Sequence, residues 1–148
     1  FVRRAIFPRS SARVGAMGGQ KTGLRVTTDD LAEILIEFNS GVIASLHMDY
    51  LQQPAKRVFE IIGTKGKITW SATEGQLIFQ SFAPDTKMST KQDPKGFERN
   101  SMFIDELTHF LKVRVGTQPI GTVPDAQESL RVALAAKESI AKNKIIRL

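Results

Sequence analysis

The sequence predicts an α+β domain in which one large, mostly antiparallel β-sheet carries two C-terminal helices packed on one face. Strand-like segments joined by glycine-containing turns follow one another between Asp30 and Trp70, which is typical of an antiparallel sheet. Two segments with helical periodicity come after them, beginning near residues 100 and 122. Strands that precede helices, rather than alternating with them, favour the α+β class.

The opening segment combines a strand with a long loop. Residues 1–7 have the composition of a strand, and Pro8 closes it because proline cannot donate to a sheet ladder. Residues 9–23 are rich in glycine and serine and lack apolar periodicity, so we expect a loop there. A short strand at residues 24–28 is then expected to lead into the sheet.

The next two segments predict a hairpin. Along residues 31–38 and 42–50, successive side chains fall alternately on two faces, as expected of strands. Asn39-Ser40-Gly41 between them suits a tight turn because Asn and Gly accept a positive φ. One face of the pair is apolar and carries Ala32, Ile34, Ile36, Phe38, Ala44, Leu46, Met48 and Tyr50. The other face is half polar and carries Leu31, Glu33, Leu35, Glu37, Ser45, His47 and Asp49. Such an open face suits a pocket or a subunit interface.

Three further strands follow a proline-containing break. Residues 58–62 are apolar on both faces except at Glu60, which predicts a central position in the sheet. Two more strands, at residues 67–71 and 76–82, follow turns that contain Gly63, Gly66 and Gly75. Residues 84–96 are polar and show no periodicity, so a surface loop is expected.

Two helices complete the predicted domain. Asn100 or Ser101 can cap the first helix, and Gly116 is expected to end it. Its apolar stripe consists of Phe103, Leu107, Phe110 and Leu111. The second helix is expected to begin at Thr122, with Pro124 in its first turn. Residues 145–148 are expected to return as a short final strand.

Composition limits the classes of function. The chain has 148 residues and no cysteine, which excludes disulfides and thiolate metal sites and fits a cytoplasmic setting. No apolar stretch approaches the roughly 20 residues that a membrane span needs. The net charge of +6 is scattered, which favours a solvated surface over a nucleic-acid site. The chain opens at Phe1 rather than at Met, as expected of a piece of a longer protein.

Two clusters are candidates for chemistry. His47 and Asp49 lie two apart on a strand and therefore share a face, where they can form a proton-transfer pair, two metal ligands or simply a polar surface. No third metal ligand is evident, so no metal site is predicted. Around the break, Gln52, Gln53, Lys56 and Arg57 offer amides and cations that can bind hydroxyls or a carboxylate, or form a solvated turn.

The nucleotide-binding patterns are missing from the sequence. Residues 15–22 resemble a phosphate-binding loop, but Gln20 stands where the motif needs glycine. No G-x-G-x-x-G fingerprint opens a βαβ unit. This chain is therefore not expected to hold a dinucleotide in the usual way.

Four segments, taken in order, resemble the C-terminal domain of the glucose–fructose oxidoreductase / inositol dehydrogenase (Gfo/Idh/MocA) family. Residues 30–41 (DLAEILIEFNSG) resemble its D-x-A-x-x-x-x-x-F-x-x-G strand and hairpin, and residues 59–66 (FEIIGTKG) its E-I-x-G-x-x-G turn. Residues 103–110 (FIDELTHF) are similar to its F-x-x-E-L-x-x-F helix. Residues 124–130 and 135–139 are similar to its closing helix.

The resemblance implies that residues 1–148 are one substrate-binding and oligomerisation domain with a dihydrodipicolinate-reductase-like sheet. The parent enzyme would bind NAD or NADP and act on a sugar-like or cyclitol-like alcohol or carbonyl. Its Rossmann domain and its catalytic Asp and His precede the residues seen here, so no catalytic or cofactor-binding residue can be assigned. The family uses the region of residues 52–57 to touch substrate, and its open sheet face often builds the dimer. The predicted substrate-binding residues are Gln52, Gln53, Lys56, Arg57 and His47.

Two other classes of function compete with this one. A non-enzymatic module that dimerises through its sheet would use the same open face without any catalytic partner domain. A basic nucleic-acid-binding domain would explain the positive charge, and its binding would weaken steeply with salt.

Overall fold

The computed structural model describes residues 11–84, 88–93 and 98–148. The strand predicted at residues 1–7 and its closing Pro8 lie outside this part of the chain. The chain forms two compact groups of contacts, which we call unit 1 (Phe1–Leu51 and Gln118–Leu148) and unit 2 (Gln52–Thr117). Unit 1 contains β1 (Ser11–Gly19), β2 (Leu31–Phe38), β3 (Ile43–Asp49), α2 (Val123–Lys142) and β8 (Ile146–Arg147). Unit 2 contains β4 (Val58–Gly63), β5 (Gly66–Ser71), β6 (Gln76–Ser81), β7 (Ser89–Gln92) and α1 (Arg99–Arg114).

The α+β class is confirmed, but the strands form two sheets rather than one. The sheet of unit 1 has the order β3-β2-β1-β8 and that of unit 2 the order β4-β5-β6-β7, and all pairs are antiparallel. The predicted single large sheet is therefore corrected. Between β3 and β4 lie residues 50–57, and this non-strand segment contains Pro54, which has no amide hydrogen for a ladder.

Strand β1 corrects the prediction of a loop at residues 9–23. It pairs along its length with β2, and Val14 lies opposite Ile36. The backbones of β1 and β2 come so close that a Cβ on Gly18 would lie 2.3 Å from the carbonyl oxygen of Leu31. The glycines that suggested a loop are thus compatible with close strand pairing. Residues 24–28, predicted as a strand, form no strand.

The predicted hairpin between β2 and β3 is confirmed. The amide of Phe38 donates to the carbonyl of Val42 at 2.9 Å, and Gly41 has a φ of 83°, which favours glycine. The apolar face of these strands packs against α2. The buried core consists of Val14, Ile34, Ile36, Ala135 and Ala136. The two alanines bring the helix close to the sheet because they carry little volume.

Helix α2 begins as the sequence predicts. Thr122 is its N-cap, and Thr122 and Asp125 bond reciprocally in a capping box, with Pro124 in the first turn. One polar side chain of this helix is buried against β1. Ser139 is 1% exposed, and its Oγ accepts from the amide of Ala16 at 2.8 Å and donates to the carbonyl of Lys144 at 2.7 Å. Strand β8 pairs with β1 only opposite Arg13 and Val14, so Ser139 supplies a partner to β1 where the ladder with β8 has ended.

Unit 2 departs from prediction at its first and last strands. Strand β4 lies at the edge of its sheet instead of the centre. The apolar residues on both of its faces suggested a central strand, but Val58, Phe59 and Ile62 all remain exposed, and Phe59 contacts Trp70 with ring centroids 5.3 Å apart. Strand β7 lies within the predicted loop of residues 84–96, where it extends the sheet beside β6.

Helix α1 has the predicted end but a different start. It begins at Arg99 after Glu98, whose side chain makes no capping hydrogen bond, so neither Asn100 nor Ser101 is the cap. Gly116 follows its last turn with a φ of 104°. The predicted apolar stripe is 52–65% exposed at Phe103, Leu107, Phe110 and Leu111. Thus the described stripe of α1 is not buried on the sheet of unit 2, and of the two helices in the described ranges α2 is the one that packs on a sheet in the predicted manner.

Candidate functional site: the open face of unit 1

The sheet of unit 1 leaves one face without a helix, and we call it the open face. It is formed by the residues that alternate with the buried core positions, and cross-strand partners place them together: Arg13, Gly15, Met17, Leu31, Glu33, Leu35, Glu37, Ile43, Ser45, His47 and Asp49. Several of its apolar side chains are exposed, among them Met17 at 75%, Leu35 at 55% and Ile43 at 65%. The predicted half-polar face therefore exists and mixes apolar with charged groups.

A cluster of three titratable side chains lies on this face. Glu33 and His47 are cross-strand partners, and Glu33 Oε1 bonds Nδ1 of the His47 ring. The other ring nitrogen, Nε2, lies 2.9 Å from Oδ2 of Asp49. We call this the Glu33–His47–Asp49 cluster. Its histidine bridges two carboxylates on neighbouring strands.

Local structure fixes the orientation of Asp49. Its side chain is only 10% exposed, and its Oδ1 accepts from the amide of Leu51 at 2.6 Å while Oδ2 faces His47. The chain leaves β3 at this point, where the amide of Tyr50 donates to the carbonyl of Asp30 at 3.1 Å. The carboxylate of Asp49 thus both closes the end of β3 and holds the imidazole ring.

The two carboxylates favour the charged imidazole. The hydrogen bond with Glu33, and after it the hydrogen bond with Asp49, raises the pKa of His47 above its ordinary value. The predicted sharing of a face by His47 and Asp49 is confirmed, and Glu33 joins them. In the described part of the chain, no group of three His, Cys, Asp or Glu side chains is arranged to hold a metal ion. Because both ring nitrogens of His47 bond carboxylate oxygens, the cluster favours a proton on each nitrogen.

A concavity of about 450 Å³ adjoins the cluster. Glu33, Leu35 and Ser45 of the open face line it, together with residues 143–145, which follow α2. Gly15 lies below this segment, where a Cβ would be 3.5 Å from Cγ1 of Ile145. The concavity thus joins apolar walls to the carboxylate of Glu33.

The other predicted site residues lie in unit 2, whereas His47 lies in unit 1. Gln52, Gln53, Lys56 and Arg57 are all exposed. Two hydrogen bonds to backbone carbonyls of their segment tie it to the turn between β5 and β6. Thr73 Oγ1 donates to the carbonyl of Ala55 at 3.3 Å, and the amide of Ala72 donates to the carbonyl of Arg57 at 2.9 Å. These polar side chains therefore project from a segment whose backbone is anchored.

Sequence reasoning missed the role of Asp30. Its side chain is 2% exposed, and its carboxylate accepts from the amides of Lys21 and Thr22 at 2.7 and 3.2 Å and from the Thr22 hydroxyl at 2.6 Å. These bonds, led by that of Lys21, lower the pKa of Asp30. The signal was available, because Asp30 opens the D-x-A motif, but the motif alone does not say what the aspartate holds.

This arrangement also decides how the glycine-rich segment can be used. The amides of Lys21 and Thr22, which a phosphate-binding loop would direct at its ligand, are bonded to the carboxylate of Asp30. The described residues of this segment therefore do not fit a nucleotide phosphate. Neither helix in the described ranges is long and apolar enough to cross a bilayer.

Solved structures with the same fold are oxidoreductases. An NAD-binding oxidoreductase from Klebsiella pneumoniae superposes with a TM-score of 0.79 at 16% identity, over 93% of this chain and 45% of that one. An aldose–aldose oxidoreductase from Caulobacter crescentus, complexed with glycerol, gives 0.73 at 20% identity, over 98% and 43%. An oxidoreductase from Agrobacterium radiobacter, in complex with NAD+, L-tartaric acid and magnesium, gives 0.73 at 18% identity, over 99% and 45%. The chain thus spans less than half the length of the solved structures it matches.

A family model gives the more specific result. The model of the GFO/IDH/MocA C-terminal domain matches residues 4–69. The predicted resemblance is therefore confirmed over this part of the chain, which holds the first two of the four motifs. A search of curated proteins finds no match.

Proposed function

We propose that this chain is the substrate-binding and self-association domain of an NAD(P)-dependent oxidoreductase that acts on a sugar-like or cyclitol-like alcohol or carbonyl. The observation that carries the proposal is the fold: it covers 93–99% of this chain in oxidoreductases and accounts for less than half of their length. Two of those structures are described with polyhydroxylated small molecules, glycerol and L-tartaric acid. We further propose that the parent is cytoplasmic, in line with the lack of cysteine in these 148 residues.

The hydride chemistry is assigned to the remainder of the parent enzyme. The glycine-rich segment does not suit a phosphate, since its amides at Lys21 and Thr22 are bonded to Asp30. We therefore propose that NAD or NADP binds elsewhere in the parent and that the 148-residue chain alone has no turnover. An assay for oxidation of sugars and cyclitols with NAD+ and NADP+ tests this, and measurable activity of the chain would contradict it.

The substrate is proposed to meet the segment of residues 52–57. Lys56 and Arg57 supply cations for a carboxylate or a polarised oxygen, and the amides of Gln52 and Gln53 can donate to and accept from hydroxyls. The anchored backbone at Ala55 and Arg57 supports this role, because a held segment presents its side chains with less entropy to lose. His47 belongs to unit 1 and is proposed separately as a substrate contact; because carboxylates occupy both of its ring nitrogens, a substrate hydroxyl would bond those carboxylates rather than the ring.

Titration by NMR tests this part of the proposal. D-glucose, myo-inositol and L-tartrate are added separately, and the side-chain amide signals of Gln52 and Gln53 and the ring signals of His47 are followed. We expect saturable shifts with at least one probe, and Lys56→Ala should weaken that binding. The matched control is Lys65→Ala, because Lys65 is also exposed in unit 2 but lies outside the segment. Absence of saturable shifts with all three probes would refute substrate binding by this chain.

Self-association is proposed to use the open face. The support is its exposed apolar side chains, of which Met17 and Leu35 lie beside the cluster, where the His47 imidazolium compensates one of the two carboxylates. Sedimentation velocity across concentration should show a dimer or larger, and Leu35→Glu should give a monomer. Leu134→Glu is the control, since Leu134 is exposed to 58%, close to the 55% of Leu35, but lies on α2 against the opposite face. Association without any substrate shift would favour the non-enzymatic dimerising module.

A further inference from the structure

We propose that the proton held by the Glu33–His47–Asp49 cluster controls self-association: copies associate tightly while His47 is an imidazolium and separate when it loses its proton. This inference rests on the self-association through the open face proposed above. It adds the condition under which that association forms and the residues that set the condition.

The geometry of the cluster allows only one fully bonded protonation state. Both ring nitrogens of His47 face carboxylate oxygens, Nδ1 towards Glu33 and Nε2 towards Asp49. An imidazolium donates from both nitrogens, whereas a neutral ring has one hydrogen and one lone pair. Loss of the proton therefore sets a lone pair against a carboxylate on one side. It also changes the net charge of the cluster from −1 to −2.

The rest of the open face does little to offset that change. Opposite Glu33 on β1 stands Met17, which carries no charge. Arg13 is engaged by Glu37, its partner on β2. Lys144 lines the same concavity as Glu33, but no ion pair joins them among the described contacts. Helix α2 packs on the opposite face of the sheet. Among the described residues, the imidazolium is therefore the main cation that compensates Glu33 and Asp49.

Association would make the protonation state matter more. Apolar side chains beside the cluster, Met17 and Leu35, would exclude water from it when two copies meet. Removing water raises the cost of an uncompensated carboxylate. In a two-fold interface both copies carry the same cluster, so the excess negative charge appears twice. The associated state thus holds its protons more firmly than the monomer, and by linkage proton loss favours the monomer.

The direction of the pH dependence follows. The pKa of His47 is already raised in the single chain by Glu33 and Asp49, so the imidazolium persists at and above the ordinary histidine value of about 6.5. Association should be strong from about pH 5.5, where carboxyl groups of ordinary pKa are ionised, up to the raised pKa of His47. Association should weaken as the pH rises through that pKa. If association raises the pKa by one further unit in each copy, the dissociation constant increases up to about a hundredfold across this range.

Sedimentation equilibrium of the 148-residue chain between pH 5.5 and 9.5, at constant ionic strength, tests the inference. We expect the dissociation constant of the wild-type chain to rise at least about tenfold towards alkaline pH, the effect of a half-unit pKa shift in each of two copies. The chain has two histidines, which provides a matched pair of variants. His47→Gln should abolish the dependence, and His109→Gln should retain it. Glu33→Gln should reduce it, because the deprotonated cluster then carries −1 instead of −2, and this variant keeps the test available if His47→Gln does not fold.

The outcomes distinguish a failure of this inference from a failure of the proposed self-association. Association of equal strength at every pH would overturn the inference and leave self-association intact. A pH dependence that survives in His47→Gln would also overturn it. A monomer at every pH and concentration would overturn both.

Discussion

The hydroxyl of Ser139 makes a quantitative prediction about what holds α2 on the sheet of unit 1. The serine is 1% exposed, and its Oγ bonds the amide of Ala16 at 2.8 Å and the carbonyl of Lys144 at 2.7 Å. Replacement by alanine removes the only described partner of the Ala16 amide at a point where β8 no longer pairs with β1. We therefore expect Ser139→Ala to destabilise unit 1.

The expected size comes from the two bonded groups. A buried donor left without a partner costs about 1–3 kcal/mol, and the half-buried Ala16 amide is placed in that range because its partner hydroxyl belongs to a side chain that is 1% exposed. The carbonyl belongs to Lys144, an exposed residue, and can turn to water, so its loss should add only a few tenths of a kcal/mol. Alanine recovers about 0.5 kcal/mol through its higher helix propensity. The net loss in the free energy of unfolding should be about 2 kcal/mol.

Urea denaturation followed by circular dichroism measures this loss, with Ser129→Ala as the control. Ser129 lies on the same helix and its hydroxyl bonds only the carbonyl of Asp125, at an exposed position. The control therefore carries the same change in helix propensity without the buried bond, and its stability should change by less than about 0.5 kcal/mol. Amide exchange gives a local reading, in which the Ala16 amide should lose protection in Ser139→Ala. Equal midpoints for the two variants would refute the role assigned to Ser139.

Two further predictions concern Gly66 in unit 2 and Asp30 in unit 1. A Cβ on Gly66 would lie 2.5 Å from the carbonyl oxygen of Gln80, whereas one on Gly63 would make an ordinary 3.7 Å contact. Gly66→Ala should therefore lower the stability of unit 2 by about 1–3 kcal/mol while Gly63→Ala is tolerated, as followed by the fluorescence of the single tryptophan, Trp70. The lowered pKa of Asp30 means that its stabilising effect is present above the ordinary aspartate value of about 3.9 and is lost as the pH falls towards its folded-state value. Asp30→Asn should lower the melting temperature at pH 7 and flatten its decline below pH 4, and an unchanged pH profile would refute this.

Local signals in the sequence were enough for the elements that depend on near neighbours. The turn at Gly41, the capping box of Thr122 and Asp125, and the end of α1 at Gly116 are each decided within a few residues. One element decided by distant pairing was missed, although the final strand β8 was predicted. Strand β1 carries no strand signal of its own, and it is a strand because β2 and β8 pair with it.

The same distinction applies to the candidate site. His47 and Asp49 could be placed on one face from their spacing, but Glu33 required the register of the hairpin. That register was in reach, because Phe38 and Val42 flank the turn and five residues outward from each are Glu33 and His47. The bonds of Asp30 and Ser139 could not be predicted, since they join loop or strand amides to side chains whose partners only the tertiary fold selects.

The distribution of buried surface argues that the two units depend on partners to different degrees. The described apolar side chains that are fully buried all belong to unit 1, where small alanines of α2 meet β1 and β2. In unit 2 the register puts Phe59, Trp70 and Leu77 side by side on one face of the sheet, and no described residue of the unit buries an apolar side chain completely. Helix α1 presents its apolar stripe to solvent as well. Exposed apolar surface of this extent marks an interaction site in a native protein. Unit 1 therefore has the more self-sufficient core, and proton-controlled association is proposed for its open face. The stability of unit 2, in contrast, should increase most when its apolar sheet face and the apolar stripe of α1 are covered.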